Sequence, residues 1–268
     1  MKQKSLFLFA ALVLIGAGCR SGQVVTLPPA ENYYATSTPP PAVHVTSTTS
    51  TKPSVKKPIP APTVSSTDPF VFSGTLPEAK NLAVPFLSQA PKMNWDYPYQ
   101  EACEEASTIM VDAYYKGQTK AFTPEAGDQA ILDLVAFEKE LFGKYEDTDV
   151  VETAEFIKKH FKYKRVMLKE VAHIHELKPV IANGYPVIIP ASGKTLANPN
   201  FRNGGPLYHM LVVKGYTKDA KWITNDPGTR KGADFVYTTE NLQASLHDWN
   251  GGEVLKGKKT VIVILPNS

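Results

Sequence analysis

The sequence predicts an α+β domain in which an N-terminal helical part packs on a C-terminal antiparallel sheet. Three observations carry this. Between residues 104 and 160 apolar side chains recur at the 3.6-residue spacing of amphipathic helices. From 165 to 265 they fall instead in short β-branched or aromatic runs bounded by Gly, Pro, Asn and Asp. From Ala35 to Pro69 there is no Phe, Tyr, Trp, Leu or Gly at all, so the large apolar side chains of a core are concentrated beyond residue 69. Helices first and strands later is the order of two segregated layers rather than of alternating βαβ units.

The helices are read in order. Glu104 to Lys116 places Ala106, Ile109, Met110, Ala113 and Tyr114 on one face, and Gly117 ends it. Thr123 caps a second helix with Pro124 in its first turn, carrying Ile131, Leu134, Val135, Glu138 and Leu141. The third runs from Asp149 to His160, where Asp149 and Glu152 have capping-box spacing. Strands are expected at Leu82–Leu87, Arg165–Leu168, Pro186–Pro190, His209–Tyr216, Lys221–Asn225, Phe235–Tyr237 and Thr260–Leu265. No internal repeat is present.

The N-terminus has a different character. Lys2 and Lys4 precede an apolar run, Leu6 to Ile15, that falls short of the roughly 20 helical residues a bilayer span needs, and the stretch reads as an export signal. Gly16-Ala17-Gly18-Cys19 resembles a bacterial lipobox, although Gly16 stands where a larger aliphatic residue is usual. That resemblance implies lipidation of Cys19 and a membrane partner; a secretory signal or an uncleaved anchor are the alternatives. Residues 20–73, rich in Pro, Ser and Thr, cannot bury apolar area and read as a disordered stalk of at most on the order of 100 Å. Its His44, Lys56 and Lys57 are solvated linker residues. The chain thus divides into a signal over 1–19, a linker over 20–73 and a domain over 74–268.

Composition excludes several functions. With 29 Lys and Arg against 26 Asp and Glu spread over 268 residues, the chain lacks the basic footprint of a nucleic-acid binder. Two cysteines exclude a disulfide framework or a four-Cys zinc site. His173-Ile174-His175 is the one metal handle, and no acidic or Cys ligands accompany it, so a solvated pair is the favoured reading.

Cys103 is the residue with chemical promise. It sits where the loop from Trp95 to Gln100 gives way to the first helix, near the positive end of the helix dipole, where thiolate is favoured. Glu104 and Glu105 oppose a thiolate, so a cationic partner is needed. A partner is offered by His209, which opens one strand, while the next strand closes at Asn225-Asp226. Pairing through the turn at Thr217–Ala220 makes His209 and Asp226 cross-strand neighbours, and alternation lets only one of Asn225 and Asp226 face the imidazole. Trp95, Tyr97 and Tyr99 either line a cleft or pack the loop; Trp222 and Trp249 read as packing.

Taken together, Val84-Pro85-Phe86-Leu87-Ser88-Gln89, Asn94-Trp95, Gln100-Glu101-Ala102-Cys103-Glu104-Glu105-Ala106-Ser107, His209 with Val212-Val213-Lys214-Gly215-Tyr216, and Asn225-Asp226-Pro227-Gly228-Thr229 resemble the C39-like cysteine peptidase family, a branch of the papain-like fold. The resemblance covers essentially all of 80–265. It implies Cys103 as nucleophile, His209 as general base, Asp226 as its orienting acid and Gln89 as the oxyanion-hole residue, with Gln100, only three positions before the Cys, as the alternative. Glu104-Glu105 replaces the Gly-Pro usual after the nucleophile. The implied activity is hydrolysis of a peptide or protein substrate without a cofactor. A cell-wall peptide hydrolase or transamidase, and a catalytically silent binding module on a stalk, are the competing readings.

Overall fold

The structure, a computed structural model, describes residues 68–267. The expected signal, Cys19 and the linker up to residue 67 lie outside the described residues.

A two-residue strand, β1 (Lys80–Asn81), is followed by three helices: α1 (Cys103–Tyr115), α2 (Pro124–Phe142) and α3 (Val150–Phe161). Their ends are set locally. Thr123 Oγ1 accepts the Ala126 N–H above Pro124, and Gly143 closes α2 at a φ of 75°. Asp149 and Glu152 form the capping box of α3. The second half alternates strands with short helices: β2 (Arg165–Glu170), α4 (Leu177–Ala182), β3 (Val187–Ala191), α5 (Gly193–Leu196), β4 (His209–Tyr216), β5 (Lys221–Asn225), β6 (Phe235–Thr238), α6 (Thr239–Ser245) and β7 (Thr260–Leu265). Helices α4, α5 and α6 are too short to show a helical period and were not legible in the sequence.

All pairings are antiparallel, in the order β2-β7-β3-β4-β5-β6, with β1 added to β4. Strand β4 is the axis of the domain. It pairs β3 on one side and β5 on the other, and every residue from His209 to Tyr216 is buried. Pro190 is tolerated in β3 because β7 pairs only Val187 and Ile188 there, so the missing N–H lies beyond that ladder. Gly215 sits at the β4 bulge, where a Cβ would stand 2.4 Å from the Lys80 carbonyl oxygen; only glycine admits β1 this closely.

The strand expected at Leu82–Leu87 is not formed: pairing stops at Asn81. Pro85 has no N–H to donate, and the carbonyls of Val84 and Pro85 are taken by the side-chain amide of Asn225, 3.0 and 3.3 Å away, instead of by a neighbouring strand. Helix α1 also departs from expectation. It packs across β4 and is buried from Cys103 to Ala113 rather than on one face, which takes Glu104, Glu105, Ser107 and Thr108 into the interior with its apolar side chains.

Candidate active site

Cys103 is the first residue of α1, reached through a 3-10 turn at Tyr99–Glu101 and the fully buried Ala102. Because α1 lies across β4, the Cys103 sulfur meets the start of that strand: the Met210 backbone N–H donates to Sγ at 3.3 Å, immediately after His209. The carboxyl of Glu104 lies on the other side, Oε2 3.0 Å from Sγ. Burial pushes the thiol pKa well above its ordinary value, Glu104 adds to the push, and the Met210 N–H opposes both. Residue 103 is 5% exposed. The helix N-terminus favours thiolate, as the sequence implies, but desolvation and the adjoining carboxyl outweigh it in this conformation.

His209 is 1% exposed, and its Nε2 lies 2.8 Å from Asp226 Oδ1. The two are not ladder partners. Strands β4 and β5 pair Val212 with Asn225 and Val213 with Thr224, which in step places Gly228 opposite His209. Asp226 is the first residue beyond β5; its N–H is held by the Gly232 carbonyl at 2.9 Å, and its side chain turns back to the imidazole. Gly228 fills the space left: a Cβ there would stand 2.9 Å from His209 Cε1 and 2.8 Å from Phe201 Cε1.

Asp226 is fully buried and fully partnered. Oδ1 also accepts the Gly228 N–H at 3.0 Å, while Oδ2 accepts the Tyr237 hydroxyl at 2.5 Å and the Asn198 amide at 3.1 Å. Burial alone raises its pKa, but the imidazole charge, the His209 hydrogen bond, Tyr237 and Gly228 together hold it below the ordinary carboxylate value. Asn225, the alternative partner, faces away: its amide donates to Val84 and Pro85, and its Oδ1 accepts the Asp234 N–H. Tyr237 and Asn198 were missed in the sequence. Tyr237 is the inward residue of the alternating run Phe235–Thr238, a weak signal for a buried hydroxyl; Asn198 lies in a loop and gives none.

The two candidate glutamines differ. Gln89 is buried, its backbone N–H donates to the Pro227 carbonyl at 3.0 Å, and its Nε2 lies 2.9 and 3.0 Å from the carbonyl oxygens of Tyr99 and Gln100. It therefore ties the loop after Asp226 to the turn that leads into Cys103, and both amide hydrogens are engaged there. Its Oε1 is buried without a partner. Gln100 is exposed, with its side chain on Glu101. Both border a cleft of about 430 Å³ that is also walled by Trp95, Phe201, Arg202 and Gly228. Tyr97 is 64% exposed, and Tyr99 donates to Asp128 at 2.6 Å, so of the loop aromatics it is Trp95 that faces the cleft. Trp222 is fully buried, and Trp249 packs against Tyr208.

Beneath the thiol lies a set of buried acids. Burial lifts the Glu104 pKa to about 8 and that of Glu138 to about 11, and raises Glu105 well above the ordinary value. Neither carboxyl oxygen of Glu105 or Glu138 has a hydrogen-bond partner. With its pKa near 11, Glu138 is a neutral acid at pH 7. His173 and His175 lie on an exposed 3-10 turn rather than a strand, where the His173 N–H is held by Glu176 at 2.9 Å.

Residues 81–252, well over half the chain, match the model of the Peptidase_C39 like family. Among solved structures, one described as a putative C39-like peptidase from Bacillus anthracis is 18% identical, with a TM-score of 0.47 over 72% of this chain and 100% of that one. A prointerpain A fragment from Prevotella intermedia is 12% identical, with a TM-score of 0.44 over 72% of this chain and 75% of that one. At these scores neither bears on mechanism. No curated protein matches the chain. The family model spans the stretch that contains Cys103, His209 and Asp226, and it is decisive for the family: the chain belongs to the Peptidase_C39 like family.

Proposed function

We propose that this chain is a cysteine peptidase, exported and tethered to a membrane surface through lipidated Cys19, that cleaves peptide bonds with Cys103, His209 and Asp226. The observation that carries the reading is the His209 Nε2–Asp226 Oδ1 contact at 2.8 Å, beside a Cys103 sulfur bonded to the next backbone N–H at 3.3 Å. With Nε2 engaged by Asp226, Nδ1 is the nitrogen left to take the thiol proton. The buried carboxylate, pinned by Tyr237 and Asn198, fixes the tautomer and stabilises the imidazolium.

In this scheme His209 removes the thiol proton and Cys103 Sγ bonds to the scissile carbonyl carbon. The oxyanion is held by the Cys103 backbone N–H at the α1 terminus and by the Gln89 amide, which must then exchange a backbone carbonyl for the oxyanion. The imidazolium protonates the departing amine, leaving a thioester. Water, deprotonated by His209, releases the acid and restores the thiol. Substrate enters from the cleft walled by Gln89, Trp95 and Gly228, and the sulfur must become exposed toward it for attack.

One observation favours a second reading, a catalytically silent binding module: the thiol is buried against Glu104, which disfavours thiolate. Labelling separates the two. The full-length chain is treated with iodoacetamide across pH, and modification of Cys103 is followed by peptide-resolved mass spectrometry beside hydrolysis of a peptide mixture. A peptidase shows faster Cys103 labelling in wild type than in His209→Ala, and cleavage lost in both Cys103→Ala and His209→Ala. Equal, slow labelling with no cleavage establishes the silent module. Loss of cleavage in Gln89→Ala by about 10²-fold in kcat, with Gln100→Ala near wild type, assigns the oxyanion donor.

A further inference from the structure

A second hollow, of about 420 Å³, adjoins the cleft and shares with it Trp95, Arg202 and Gly228. The shared Gly228 is the residue on which a Cβ would meet the His209 ring, so this hollow is one residue away from the candidate base. Its charged lining is of one sign: Arg202, Arg230 and Lys231. Among the described residues none of the three pairs with a carboxylate. In a chain with 26 acidic residues and a net charge of only +3, three unpaired cations around one concavity are not a reflection of composition.

The backbone beneath them is fixed. Lys231 and Arg230 lie on the turn after Asp226, closed by Asp226 N–H to the Gly232 carbonyl at 2.9 Å and by Lys231 N–H to Thr229 Oγ1 at 3.2 Å. Gly232 packs so closely on this turn that a Cβ would stand 1.7 Å from the Asp226 carbonyl oxygen. Arg230 is oriented by contact of Nη1 with Met93 Sδ at 2.8 Å. Arg202 follows Phe201, whose N–H is bonded to the Asn198 carbonyl, and the Asn198 amide holds Asp226. The loops that carry the cations are thus built on the same carboxylate that holds the base. Glu101 lines the first cleft but not this hollow, whose charged lining stays wholly positive.

We propose that this hollow is a subsite for an acidic side chain of the peptide substrate, with Arg202, Arg230 and Lys231 reading an Asp or Glu carboxylate beside the Trp95 face. The inference rests on the peptidase reading for the identity of its ligand as a peptide. Cations on rigid turns hold a carboxylate without reordering backbone, and the indole supplies an apolar wall for the methylenes of the acidic residue. The selectivity is electrostatic and falls with ionic strength.

The test uses the full-length Cys103→Ala chain, so that binding is read without turnover. Short acetylated and amidated peptides that differ by one Glu→Gln exchange are titrated by calorimetry and by intrinsic tryptophan fluorescence, at low and high salt. The expected result is roughly tenfold tighter binding of the Glu peptide, shrinking with salt and abolished in an Arg202→Gln, Arg230→Gln, Lys231→Gln variant that melts at the same temperature as its parent. Substituting Arg230→Glu should shift preference toward Lys-bearing peptides. Equal affinity for the Glu and Gln peptides overturns the inference, as does a preference that survives the triple substitution, or a single-stranded oligonucleotide that binds tighter than the Glu peptide. Absence of cleavage by the wild-type chain strikes the peptidase reading alone, because the binding measurement does not need it.

Discussion

Glu104 stands with Oε2 3.0 Å from the Cys103 sulfur, so the residue next to the candidate nucleophile is also its acceptor. Both groups are buried, and each carries a pKa above its ordinary value, with desolvation the larger cause in each case. A carboxylate in this position resists formation of a second anion beside it. Replacing it with an amide removes that resistance while keeping a polar group of similar shape. Glu104→Gln should therefore lower the thiol pKa and speed iodoacetamide modification of Cys103 above about pH 8, where Glu104 ionises, by up to about tenfold for each unit the pKa falls. Peptide-resolved labelling from pH 6 to 10 reads this directly; an unchanged profile would show that burial alone governs the thiol.

Asp226→Asn should keep the fold's contacts near the imidazole but reverse the hydrogen-bond polarity at His209 Nε2. Hydrolysis of any cleaved peptide is expected to fall by on the order of 10³-fold or more in kcat, with little change in KM. Tyr237→Phe removes one donor from Oδ2. As a positioning residue it should cost roughly tenfold in kcat and raise the acidic limb of the pH–rate profile, since the carboxylate loses a group that holds its pKa down. A pure stability effect would leave that profile in place.

Gly228→Ala brings a methyl group to 2.9 Å from His209 Cε1 and 2.8 Å from Phe201 Cε1. Something must shift, and the imidazole is one of the two rings available to do so. Turnover should drop by about 10²-fold while the melting temperature changes only modestly, a split that follows from displacing reacting groups by a fraction of an ångström. Equal losses of stability and turnover would place the strain in Phe201 instead.

Glu138 has a pKa lifted to about 11 from the ordinary 4.5. Between those values the folded chain retains a proton that the unfolded chain has released, so this group's contribution is intact below about pH 4.5 and is lost as pH rises toward 11. Wild-type melting temperature should decline from about pH 6 to 9, and Glu138→Gln should flatten that decline. At about pH 9 the variant is expected to melt higher, by about 2–4 °C for each kcal/mol recovered. Differential scanning at several pH values checks both the slope and the sign.

Much of this site is legible from one dimension because local rules place it. The caps at Thr123 and Asp149 are set by residues within a turn of one another, and the bounds of β4, β5 and β7 follow their β-branched and aromatic runs. What was not legible depends on distant partners. The Leu82–Leu87 run has strand composition, but its carbonyls are claimed by Asn225, far along the chain. Helix α1 has one apolar stripe, yet α2, α3 and β4 enclose it, so Glu104 and Glu105 become buried acids. The hairpin register puts Gly228 opposite His209, and Asp226 reaches the ring only because the chain turns back at Gly232, a closure that strand alternation does not encode. Choosing between Gln89 and Gln100 likewise requires knowing which side chain bridges the two loops.

The leading segment of the domain is fastened at successive points: the Asn183 amide holds the carbonyls of Pro69 and Val71, the Tyr216 hydroxyl holds that of Pro77, and Asn81 joins β4. Beyond them comes Gln89. A pull on the N-terminal end is therefore shed one fastening at a time before any tension reaches the glutamine and the loop behind Asp226. Mechanical load is taken up upstream of the chemistry, by bonds the site itself does not use.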